Sequence, residues 1–118
     1  MAAPLTAFAR VPSVSFSQDA DALERNFQEL TSRWRRETAL HSSVTAIAIA
    51  MHPAYQQIIG LGERALPLIF QELRREPDHW FWALGAITGE NPVPDDHAGD
   101  LEAMAEDWLS WGNAHGYL

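Results

Sequence analysis

The stretch "ERALPLIFQELRREPDHWFWALGAITG", residues 63–89, decides the fold. Leu66, Ile69, Phe70 and Leu73 recur at helical spacing and make one apolar stripe, with Glu72 and the neighbouring arginines expected to lie away from it. Pro67 falls near the first turn, where it removes one hydrogen bond and bends the helix without breaking it, and Pro77 bars continuation; the predicted helix is 63–75. Asp78 is placed to cap a second helix in which Trp80, Ala83, Leu84 and Ile87 share a face until Gly89 stops it. Residues 63–88 should therefore form a helical hairpin.

The bulk at its centre raises a packing problem. Successive helical positions differ by about 100°, so if Trp80 faces the core with Leu84, Phe81 lies at its flank and Trp82 points roughly 200° away. All three cannot bury in one groove. Either a second element covers the far side of the hairpin, or Trp82 is an exposed aromatic of the kind that anchors a partner.

Upstream, Pro53 suits the first turn of a short helix through Ile58 and Ile59, ended by Gly60 and Gly62. Before it, Ser42 and Ser43 can cap a helix through "VTAIAIAM", 44–51; the alternation there also fits a strand, but with no credible second strand a lone one would leave its ladder groups unpaired. Leu23, Phe27, Leu30 and Trp34 form a stripe that predicts a helix over about 21–38, with Asp21 and Glu24 at its cap and Arg25, Glu29, Arg33 and Arg36 on a solvated face. Residues 1–18 are rich in Pro, Ser and Ala and hold Phe8, Val11, Val14 and Phe16 to no firm period, which reads as a partly ordered arm.

Downstream, "GENPVPDDHAG", 89–99, is a loop, and Leu101, Met104, Ala105 and Trp108 return to helical spacing, with Asp100 and Glu102 favouring the helix N-terminus. The expected fold is all-α, a compact bundle of four or five helices in a single domain over 19–118.

The hairpin also carries a family resemblance. "GLGERALPLIFQELRREP" followed by "ALGAITGE" resembles a HEAT-like repeat, the α-solenoid unit found in phycobilisome-lyase-type and many bacterial proteins, over about 60–89. "ITGENP" leading to "WLSWG" looks like the end of many bacterial HEAT-like proteins, where a helix bearing W-x-x-W closes the stack. The resemblance implies a scaffold for protein contacts, with no catalytic motif to carry over. Trp80, Phe81 and Trp82 stand where such repeats usually place small residues, and one clear repeat is fewer than the about three a stable solenoid needs, so a bundle capped by the N-terminal helix is expected instead of a long array.

Composition narrows the function classes. At 118 residues the chain can bury an ordinary core, and with no cysteine it has neither a disulfide framework nor a thiolate nucleophile; a reducing, cytoplasmic setting is expected. The N-terminus shows no charged leader followed by a long apolar core, and "VTAIAIAM" is far short of the roughly 20 residues that cross a bilayer, so neither signal peptide nor membrane span is expected. The net charge of −8 is uneven: residues 37–118 hold three arginines against twelve acids. Six acids and no arginine between Asp95 and Asp107 repel a phosphate backbone, which argues against direct nucleic-acid binding apart from a modest basic spot at Arg33, Arg35 and Arg36.

Chemistry finds little purchase. No two of the five histidines share the i, i+4 spacing of a helical metal pair, and "DDHAGD", 95–100, lacks the alternating ligands of a calcium loop; no metal or cofactor is expected. Ser42 and Ser43 beside His41 read as helix caps, and His52 before Pro53 as a cap or turn residue. Trp108 and Trp111 lie on neighbouring faces of the last helix, Trp108 the deeper and Trp111 placed to rim a groove. These features point to a non-catalytic, acidic helical interaction module, a regulatory or inhibitory partner of antitoxin or immunity type for a larger and basic protein. His79, Phe81, Trp82, Asp95, Asp96, Asp100 and Trp111 are its expected contact residues. The alternatives are a structural subunit that dimerises through Trp82, and a small enzyme using His79 or His52 with nearby carboxylates.

Overall fold

The computed structural model describes the backbone of residues 2–39 and 46–118, and the side chains of 20–39 and 48–118. The chain is all-helical: α1 (Ala2–Ala39), α2 (Ala46–Ala50), α3 (Pro53–Gly60), α4 (Leu66–Arg75), α5 (Phe81–Thr88) and α6 (Leu101–Ala114), with 3-10 turns at Gly62–Ala65 and Asp95–His97 and no strand among the described residues. Among the described residues six helices stand where four or five were expected, α2 being only five residues long.

The helix predicted over 21–38 is the second half of α1, which also runs through residues 2–18, where an arm was expected. Ala2, Ala3, Leu5, Ala7, Ala9 and Arg10 are strong helix formers, and Pro4 sits in the first turn, where its missing N–H costs nothing; local propensity accounts for these first turns but not for the stretch past Pro12, which lies in the helix interior. The expected stripe does bury lower down: Phe27, Leu30 and Trp34 are sealed, Leu23 is half-buried, and α1 packs chiefly on α3. Ser42 and Ser43 lie outside the described residues. His52 caps α3, its Nδ1 accepting from the Ala54 N–H at 3.0 Å, with Pro53 at the first helical position.

Aromatic rings fill the centre. Trp80 stacks on Phe27 at 5.7 Å between centroids, meets Trp34 at 4.9 Å, and lies parallel to Tyr55 at 6.4 Å, so α1, α3 and the chain entering α5 share one core. Such pairs add to what burial alone contributes. A second cluster joins α4 to α6: Phe70 stacks on Trp111 at 6.2 Å and on Tyr117 at 5.7 Å. The approach of α6 to Phe70 requires Gly112, because a Cβ at that position would stand 2.9 Å from the Phe70 ring.

Two expectations in the hairpin are corrected. Glu72 does not lie away from the core; it is 6% exposed, and its Oε1 accepts from Arg35 Nη1 at 3.0 Å and from Arg75 Nη2 at 2.6 Å. A carboxylate can be buried there because two guanidiniums offset its desolvation. Arg35 also donates from Nε to Asp78 Oδ2 at 3.1 Å, with its guanidinium carbon 5.7 Å from the centre of the Trp80 ring, so it ties α1 to α4 and to the turn before α5. The basic spot expected at Arg33, Arg35 and Arg36 thereby loses one member to these ion pairs.

Asp78 does not cap α5. The N-cap residue is Trp80, without a side-chain hydrogen bond, and the capping oxygen comes from α3: Tyr55 Oη accepts from the Ala83 N–H at 2.9 Å and donates to the His79 carbonyl at 2.9 Å. One hydroxyl thus satisfies an orphan donor of the first turn and the carbonyl just before it. At the other end Gly89 takes the left-handed conformation, φ 73°, that closes α5.

Candidate functional site

Because Trp80 is anchored in the core and helical geometry begins one residue later, the next two side chains have no room beside it. Phe81 is half-buried and Trp82 is 54% exposed. Together they form one wall of a groove of about 310 Å³ lined by Tyr55, His79, Phe81, Trp82, Gly99, Leu101 and Met104. The opposite wall is the loop before α6 and that helix's first turn.

Local interactions hold the second wall. Residues 95–97 make a 3-10 turn, and Gly99 has φ 89°, a backbone shape that a side chain would strain. Asp100 caps α6, its Oδ1 accepting from the Ala103 N–H at 3.1 Å. His97 Nδ1 meets Asp107 Oδ2 at 2.7 Å, fastening the loop to the middle of α6. That hydrogen bond raises the His97 pKa above its ordinary value of 6.5 despite the opposing desolvation, and the charges of Asp107, Asp96 and Asp100 push the same way.

The floor is Tyr55. Burial drives its phenol well above the usual range, and the charge of Asp78 adds to this while the hydrogen bond from Ala83 opposes it. The hydroxyl therefore stays neutral and keeps both its donor and its acceptor role. Among the lining side chains this leaves the His79 imidazole and the Trp82 indole N–H as free polar groups, neither with a hydrogen bond to a described residue.

Of the residues expected to contact a partner, His79, Phe81 and Trp82 come together in the groove, and Asp100 sits on its rim between the lining residues Gly99 and Leu101. Asp95 and Asp96 are exposed in the adjoining turn and pair with no described cation. Trp111 does not line the groove. It is partly buried in the cluster on Phe70, with the His115 ring stacked on it at 4.0 Å.

The groove also uses Tyr55, Gly99, Leu101 and Met104, none of which was expected at a contact surface. Leu101 and Met104 read as a core stripe but are only half-buried. The remaining described histidines are committed elsewhere. His41 lies outside the described residues; His115 bonds the Trp111 carbonyl; and His52, whose Nδ1 accepts from Ala54, is left to donate from Nε2 to Glu37 Oε1 at 2.8 Å. Among the described residues no three His, Asp or Glu side chains converge on a point that suits a metal ion, and no helix is long and apolar enough to cross a membrane.

The electrostatics are one-sided. From residue 76 to the end there are nine carboxylates and no arginine or lysine. Asp78 is matched by Arg35 and Asp107 by His97, whereas Asp95, Asp96, Glu102 and Glu106 form no ion pair with a described residue. An apolar groove bordered by unpaired carboxylates can hold an apolar group and attract cations around it. Comparison with protein-family models, curated proteins and solved structures finds no match to this chain.

Proposed function

We propose that the protein is a non-catalytic docking module that binds a larger protein through the groove between α5 and α6. The observation that carries this is Trp82: a tryptophan 54% exposed on the wall of an apolar groove, held outward by the anchoring of Trp80. Exposed aromatic surface in such a setting is a common mark of a binding site, and tryptophan is among the residues that most often dominate binding energy. The reading extends to a regulatory or inhibitory role of antitoxin or immunity type, exercised in the cytoplasm by a chain that is itself a HEAT-like helical scaffold; the helical hairpin, the absence of cysteine and the acidity of residues 37–118 support it.

Co-purification from the native host, with the wild-type chain and with Trp82→Glu, tests the proposal. The expected outcome is a protein retained by the wild type at low salt, released as salt rises, and absent from the variant. Equal retention by both chains would remove the groove from consideration, and recovery of no partner at either salt would remove the docking role.

A further inference from the structure

We infer that the groove takes one bulky apolar side chain from a partner segment whose neighbouring residues are arginine or lysine. This rests on the docking reading and names the chemistry of what docks.

Size sets the first limit. About 310 Å³ is at the lower end of the roughly 300–1,000 Å³ found for small-molecule sites, so it suits one large side chain better than an extended cofactor. Polarity sets the second. Phe81, Trp82, Leu101 and Met104 present mainly hydrocarbon, ring and thioether; the Tyr55 hydroxyl is already used on both sides; among the lining side chains the His79 imidazole and the Trp82 indole N–H are left to orient a guest. A polar metabolite would lose its water there with little in return, whereas an aromatic or long aliphatic group gains by leaving water. Met104, unbranched and polarisable, can adapt to such a guest.

Charge chooses the flanks. Asp95, Asp96 and Asp100 lie in or next to the loop that forms one wall, and Glu102 is in the first turn that follows. No arginine or lysine follows Arg75, and none of these four carboxylates is ion-paired with a described residue. A partner's arginines beside the inserted group would meet carboxylates in bidentate geometry, and its charge would speed encounter. The same distribution argues against a second copy of this chain as the occupant. Two such faces would bring Asp95, Asp96, Asp100 and Glu102 of each copy into one interface, with His97 already held by Asp107.

Three synthetic helical peptides test the inference on the full-length protein: one with a single phenylalanine among arginines and lysines, one with glutamates replacing the cations, and one cationic with alanine replacing the phenylalanine. NMR shifts of the Trp82 indole and the Met104 methyl report occupancy. The cationic phenylalanine peptide should move both. Its affinity should fall about thirtyfold in Trp82→Ala, the loss typical of a hot-spot aromatic, and about tenfold in the combined Asp95→Asn, Asp96→Asn, Glu102→Gln variant. The alanine peptide should leave both signals in place.

An acidic peptide that binds as well as the cationic one would overturn the partner chemistry while leaving the docking role intact. A cationic peptide that binds without moving Trp82 or Met104 would place the contact elsewhere and overturn the inference, as would the absence of any shift with all three peptides. Sedimentation showing dimers that Trp82→Ala disrupts would make a second copy the occupant and overturn it too.

Discussion

Trp80 and Trp82 are the same residue type two positions apart, and they have opposite fates. Trp80 is fully sealed among Phe27, Trp34 and Tyr55, whereas Trp82 stands 54% exposed beside Leu101 and Met104 on the groove. Hydrophobicity does not separate them. What separates them is the roughly 200° of helical rotation between the two positions, together with the side on which α1 and α3 pack. One aromatic locks the bundle while the other is left for contact with something outside it. Tyr55 belongs to both sides, since its ring is part of the core and its hydroxyl holds the turn that presents the groove wall.

Substitutions can break this contrast in graded steps. The largest expected effect is Trp80→Ala, which leaves a cavity between three elements and should cost about 3–5 kcal/mol in denaturant unfolding. The Trp80 indole nitrogen has no partner among the described residues, so that loss is one of packing and not of a hydrogen bond.

Next comes Tyr55→Phe. It keeps the ring and orphans the Ala83 N–H and the His79 carbonyl, for about 1–3 kcal/mol, and amide exchange should quicken at Ala83 ahead of the rest of α5.

Trp82→Ala should change stability by no more than about 0.5 kcal/mol, because an exposed ring contributes little to folding. If unfolding instead shows a loss like that at Trp80, the two tryptophans are not functionally distinct and the contrast fails.

The smallest effect concerns the groove's second wall. The His97 pKa is raised in the folded chain, so its ion pair with Asp107 contributes fully below 6.5 and is lost as pH climbs through the folded value. Hydrogen exchange at the Ala98 N–H, which donates to the Asp95 carbonyl, should therefore show less protection on the alkaline side of that value. Asp107→Asn should remove most of the pH dependence.

Much of the fold was legible because helical spacing is local. The stripes of Phe27, Leu30 and Trp34 and of Leu66, Ile69, Phe70 and Leu73 are buried where their periods placed them, and Pro53 and Gly89 mark ends as their backbone limits demand. That Trp82 turns away from Trp80 was legible for the same reason, whereas its exposure depended on which elements pack around it. Glu72 was not, because the guanidinium that lets it bury comes from Arg35, thirty-seven residues earlier in the chain. The cap of α5 was hidden likewise. Asp78 had the right chemistry and position for it, but its carboxylate accepts from Arg35 and from the adjacent His79 N–H, and a hydroxyl from α3 does the capping.

The candidate site divides in the same way. His79, Phe81 and Trp82 form a contiguous run whose crowding can be read from the residues themselves. Gly99, Leu101 and Met104 join them only because α6 packs against α4 and α5, and Trp111 departs because Gly112 lets its helix settle onto Phe70. Unaided, the sequence determined which faces of each helix are apolar, where helices must stop, and that one tryptophan of the pair had to point away, since all of these follow from backbone geometry over a few residues. Which carboxylate is buried, which hydroxyl caps, and which two surfaces enclose a groove were decided by packing, because each depends on groups distant in the chain whose meeting no local period encodes.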